Sequence, residues 1–199
     1  MVGGGRPVSQ TIIARFRINR SESFTNERGN VFDPVPDGLL PTLRTVLDAV
    51  RGYATTPDCD GFLPQIGLGL GYREILDRGI RISYWGGGDK TTLFDGYVDR
   101  VGGSELCLTN VLYQGAAKSL ASAAAAVLHE LCHCAGVANI YEKDGAPGHL
   151  AHERAYQAAY VCTGVKHPIF GDRYAFERAL SGKCMVNDRP GIIASDNAA

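Results

Sequence analysis

All five histidines of this 199-residue chain lie between His129 and His167, and none precedes them. Imidazoles used for packing or solubility scatter along a sequence, whereas a metal or acid–base centre gathers them. Two of the five belong to the segment His129-Glu130-Leu131-Cys132-His133, an H-E-x-x-H pattern. On a helix this spacing sets both imidazoles on one face, one turn apart, with Glu130 flanking the same pocket. Two neutral ring nitrogens can then share one zinc ion at Zn–N distances of about 2.0 to 2.1 Å. The competing reading is a pair of histidines packed at a helix interface with no metal.

A helix is expected here on independent grounds. Residues Ala117 to Cys134 are dense in alanine, the best helix former, and Gly136 is placed to stop the run. A second helix is expected from Gly148 to Cys162, with Pro147 just ahead of it and Gly164 just behind. A catalytic zinc normally takes three protein ligands and keeps a fourth position for water. Glu153 is the best candidate for the third. Residues 134–152 leave room for a turn and a returning helix, and an antiparallel pair brings Glu153 opposite the histidines. His149, Glu153, Tyr156 or Gln157, and Tyr160 then form one stripe of the second helix. Asp144, His149 and His152 lie on the same return path and stand as alternative third ligands.

These residues resemble the gluzincin branch of the zincin metallopeptidases, the thermolysin-like enzymes. In that family an H-E-x-x-H helix is completed by a Glu on the following helix, and here too nineteen residues separate His133 from Glu153. The resemblance covers residues 117 to 163. It implies that His129, His133 and Glu153 bind one Zn2+ per chain and that Glu130 is the general base that activates the zinc-bound water. The implied activity is hydrolysis of peptide bonds in a peptide or protein substrate, and a secreted or effector-type protease is one form it takes. Candidates for steadying the transition state are His149, Tyr156 and Tyr160, with His167 beside them. Where the thermolysin-like enzymes place an Asp four residues after the third ligand, this chain has Gln157. The implied fold is α+β and zincin-like, a small mixed or antiparallel sheet packed on the active-site helix, which a Glu-bearing helix follows. A strand ahead of the helix often pairs with the substrate backbone in zincins, and Glu105 to Leu112 holds that position.

Rival patterns match in part. Metzincins extend the motif to H-E-x-x-H-x-x-G-x-x-H, which this chain follows from His129 to Gly136 before placing Asn139 where the third His belongs. Met185 is the counterpart available for their Met-turn. Peptide deformylases take a Cys ligand from a strand ahead of the helix, and Glu105-Leu106-Cys107-Leu108-Thr109 is similar in pattern, which makes Cys107 an alternative third ligand. In aspzincins the counterpart is Asp144, without their flanking residues. A different class is a structural-zinc interaction protein, with Cys132, His133, Cys134 and Cys162 closing a four-ligand site. Cys-x-Cys inside one helix fits that badly, because residues two apart point about 200° apart.

The elements that must position this centre are a mixed α/β half ahead of it. Strands are expected over Ser9 to Ile18, Gly79 to Trp85 and Glu105 to Leu112, and a helix over Leu39 to Tyr53 with Pro41 in its first turn. Gly86-Gly87-Gly88-Asp89-Lys90-Thr91 reads as a hairpin loop, because Asp89 stands where a phosphate loop needs glycine. Gly67, Gly69 and Gly71 lack the spacing of a dinucleotide fingerprint. The length suits one domain over residues 1–199, with ends at 1–8 and 188–199 expected to fray.

Composition sets limits. Hydrophobic residues make up 45% and charged ones 21%, as in an ordinary folded domain rather than a disordered chain. A formal net charge of -1 gives no pull toward nucleic acid or an anionic membrane. The longest apolar stretch, Leu120 to Leu128, falls far below a membrane span. The N-terminus reads as carrying no signal peptide, which leaves a cytosolic protein, one exported without such a signal, or a mature piece of a longer one. The six cysteines, Cys59, Cys107, Cys132, Cys134, Cys162 and Cys184, allow disulfides. Cys162 is expected to pair with Cys184 or Cys107 rather than with Cys134.

Overall fold

The computed structural model describes residues 11–86, 95–137 and 147–166, with side chains from residue 154 onward in the last segment. Expectations that fall on the two ends, on Gly87 to Thr91, and on Asn139, Asp144, His167, Cys184 and Met185 lie outside the described residues.

Five strands form a mixed sheet: β1 (Thr11–Ile13), β2 (Phe16–Ile18), β5 (Arg81–Trp85), β6 (Gly96–Val98) and β7 (Glu105–Thr109), in the order β1-β2-β5-β7-β6. The three inner strands β2, β5 and β7 are parallel, and the two edge strands β1 and β6 are antiparallel to their neighbours. A two-stranded ribbon, β3 (Phe24–Thr25) with β4 (Val31–Phe32), is the second sheet. Six α-helices are described: α1 (Leu40–Ala54), α2 (Pro57–Gln65), α3 (Tyr72–Asp77), α4 (Asn110–Ala116), α5 (Leu120–Ala135) and α6 (Pro147–Thr163). The chain is therefore a mixed α/β fold, in agreement with the expected α+β class.

The single strand expected up to Ile18 is instead a hairpin. Ala14 and Arg15 both take positive φ, 48° and 76°, in the two-residue turn that pairs Ile13 with Phe16. Neither residue type signals such a turn, so the sequence reads straight through it. The strand expected to reach Leu112 stops at Thr109, whose side chain accepts from the Val111 amide and starts α4. β5 and β6 do not pair with each other, because β7 lies between them. The chain crosses to the sheet edge for β6 and returns as β7 through a tight turn in which Gly103 N donates to Arg100 O at 2.9 Å.

Alternation along the strands sorts the two faces. Phe16, Ile18, Ile82, Leu106 and Leu108 point into one core with Leu43, Leu47 and Val50 of α1, Ile75 of α3, and Leu128 and Leu131 of α5. On the other face Phe24 stacks on Phe32 at 4.6 Å, and Phe32 meets Tyr97 edge-on at 5.3 Å, so the ribbon covers the outer side of β6 and β7. Small side chains let the site helices come close. Ala123, Ala124 and Ala125 of α5, and Ala155, Ala158 and Ala159 of α6, are all buried. No helix among the described residues is long and apolar enough to cross a membrane.

Candidate metal centre

α5 carries the H-E-x-x-H residues, and both of its ends are built to hold them. Ser119 caps the start, its hydroxyl accepting from the Ser122 amide at 3.2 Å. At the other end Gly136 adopts φ 113°, Val137 N donates to Cys132 O at 3.0 Å, and Gly136 N donates to His133 O at 3.1 Å. This pair of bonds is a Schellman turn, and only glycine enters that conformation at little cost. The turn brings the Val137 carbonyl back over the helix, where His133 Nδ1 lies 2.8 Å from it.

A carbonyl can only accept, so Nδ1 carries the proton and the lone pair of His133 is on Nε2. Burial holds this imidazole neutral by pushing it down to about 4. His133 Nε2 lies 3.2 Å from His129 Nε2. Two nitrogens that share a tetrahedral zinc stand about 3.3 Å apart, given the usual Zn–N distance. Both rings are shielded from solvent, with His129 6% exposed and His133 fully buried. The fit is thus that of two ligands turned toward a common point, one of them oriented by a backbone carbonyl.

Glu130 flanks the pair on the side of the sheet edge. Its Oε2 is buried and has no hydrogen-bond partner among the described residues. Burial first, and the Asp95 carboxyl second, push Glu130 up to about 8. Asp95 is itself raised by burial. A buried carboxyl oxygen without a donor is costly unless something polar or cationic completes it.

α6 packs along α5, and the Tyr156 ring lies 4.2 Å from the His129 ring. Glu153 stands three residues earlier on the same helix. The side chains of Glu153, His149 and His152 lie outside the described residues. Tyr160 sits one turn further on, with the Lys166 ammonium 5.9 Å from its ring centre. Gln157 is buried, with 2% exposure. Among the described residues no group of three or more His, Cys, Asp or Glu side chains converges, and His129 and His133 stand as a pair.

The cysteine expectations need correcting. Cys162 is disulfide-bonded to Cys59 of α2, not to Cys184 or Cys107. It is therefore not available to close a site with Cys132 and Cys134. Cys132 Sγ meets the Tyr72 hydroxyl at 2.8 Å, and Cys134 is a free buried thiol in the core. Cys107 lies on the face of β7 opposite Leu106 and Leu108, where its thiol donates to Val31 O at 3.5 Å. Burial, the largest influence, pushes that thiol up to about 12, which disfavours the thiolate a metal ligand requires.

The strand expected to receive substrate is corrected too. β7 is paired on both sides, with β5 and β6, and has no edge to offer. The edge position beside the site belongs to β6, three residues, too few to read as a strand from sequence. Sequence reasoning also missed the Val137 carbonyl, since every residue has one, and Asp95. Compared with models of known protein families, with curated proteins and with solved structures, the chain matches none.

Proposed function

We propose that this chain is a zinc-dependent metallopeptidase with a zincin-like fold, His129, His133 and Glu153 being the metal ligands and Glu130 the general base. The observation that carries the reading is the approach of the two Nε2 atoms to 3.2 Å on one buried helix face, with an unpartnered buried carboxyl oxygen, Oε2 of Glu130, one residue along. When bound, zinc supplies Lewis acidity and makes water a stronger acid.

The residues of the chain do the rest. Glu130 accepts a proton from the attacking water and passes it to the departing amine. A cation beside it draws its carboxyl back down from the raised value, so the base is charged when it is needed. His133 is kept in one tautomer by Val137 O, so its ring needs no reorganisation on binding. Tyr156, whose ring lies against His129, is the candidate to donate to the developing oxyanion. β6, the edge strand among the described residues, suits an extended substrate, which would add to the sheet by main-chain hydrogen bonds next to Glu130.

Glu130→Gln tests the reading. The variant is expected to keep about one zinc per chain and its thermal stability, while hydrolysis of an unstructured peptide substrate falls about 10²- to 10⁴-fold. Hydrolysis at the wild-type rate would overturn it.

A further inference from the structure

We propose that Gly96 is a positioning residue for Glu130, setting how closely the base approaches the edge strand; this rests on the peptidase reading above. Gly96 opens β6 and pairs with Leu108 of β7. A Cβ built on it would lie 2.8 Å from the carbonyl oxygen of Cys107, 3.3 Å from Cγ of Glu130 and 3.3 Å from a methyl of Leu108. Glycine is needed here for space, because the missing side chain is what lets α5 bring Glu130 up against the strand.

The strand cannot give way cheaply. Its register is fixed by pairing of Gly96, Tyr97 and Val98 with Leu108, Cys107 and Leu106, and the Thr109 amide donates to Asp95 O at 3.0 Å just ahead of it. Beyond its far end, Gly102 N donates to His133 O at 2.8 Å. The β6–β7 hairpin is thus clamped to the site helix at two points, Gly96 against Glu130 and Gly102 against His133. A side chain at position 96 meets backbone on one side and the base on the other, so it shifts either the substrate-facing edge or the carboxyl that serves it. A loss of placement by a fraction of an ångström at a general base is enough to slow proton transfer severely.

The test is a double-mutant cycle of Gly96→Ala and Glu130→Ala, read by zinc content, Tm and kcat. Gly96→Ala alone is expected to keep about one zinc per chain, to lower Tm by several degrees and to lower kcat at least tenfold. In the Glu130→Ala background, where Cγ is gone, the same substitution is expected to lower Tm less, the remaining loss being that of the Cys107 carbonyl contact, and to remove no further activity. Recovery of folding in the double variant, if Gly96→Ala alone does not fold, gives the same answer. Equal Tm losses in both backgrounds, failure to fold in both, or a wild-type kcat in Gly96→Ala would each overturn the proposal. Absence of zinc or hydrolysis in the wild type would instead strike the peptidase reading, while the Tm arm still reports on the contact.

Discussion

His133 Nδ1 lies 2.8 Å from the carbonyl oxygen of Val137, four residues on, and the contact exists because the chain reverses at Gly136. The helix stop and the orientation of a metal-ligand candidate are one structural event. Gly136→Ala puts a Cβ at φ 113°, which is expected to cost about 1 to 2 kcal/mol in urea denaturation. As the carbonyl moves, zinc affinity measured by chelator competition is expected to drop about 10- to 100-fold, the usual effect of losing such an outer partner. A folded Gly136→Ala protein with undiminished affinity would separate the turn from the site.

Glu153 is argued from position. Tyr156, one turn after it on α6, has its ring against His129. Glu153→Ala is therefore expected to lose zinc on exhaustive dialysis while the wild type keeps about one per chain, as metal analysis by mass spectrometry will show. Retention of zinc as tight as in the wild type would move the third ligand to His149 or Asp144.

The disulfide ties the last turn of α6 to α2 across 103 residues of sequence. Closing a loop of that size restricts the unfolded chain strongly, and its removal is expected to cost about 2 to 5 kcal/mol. Since α6 also carries Tyr156 and Glu153, a phosphine reductant or Cys162→Ala is expected to lower Tm and to weaken zinc retention together. The same Tm with and without reductant would show that the bond does not form.

What the sequence disclosed, and what it hid, follows local physics. The two site helices were legible because alanine density, Pro147, Gly136 and Gly164 are local signals. α1 was legible because Leu43, Val46, Leu47 and Val50 recur on one face. α2 was not, since Gly61 and Pro64 interrupt it. β6 was hidden for a different reason: Tyr97 and Val98 favour a strand, but two such residues beside glycines are too short a run to read as one, and it is pairing with Leu106, Cys107 and Leu108 that makes the strand. The H-E-x-x-H residues were found by type and spacing. Gly96 and the Val137 carbonyl act through shape, which no residue type encodes.

Two opposed titrations give the zinc-free protein a characteristic pH profile. His133 is lowered to about 4 from 6.5 by burial, so the unfolded chain binds the extra proton between those values. Its contribution to stability is complete above pH 6.5 and is lost as the pH falls toward 4. Glu130 is raised from 4.5 to about 8, by burial and then by Asp95, so the folded chain holds the extra proton. Its contribution is complete below pH 4.5 and is lost as the pH rises toward 8. Between pH 4.5 and 6.5 the two oppose each other. From 6.5 to 8 only Glu130 remains, and stability is expected to fall by up to about 1.4 kcal/mol per pH unit. Glu130→Gln has no carboxyl to ionise, so in the absence of metal its stability should decline less across that range, and the difference from wild type isolates the one group. Urea unfolding of the chelator-treated proteins at pH 6.5, 7.25 and 8 measures it, and parallel slopes would mean that Glu130 ionises outside this window. Zinc should flatten the wild-type slope, because a cation beside Glu130 removes the reason for it to hold a proton.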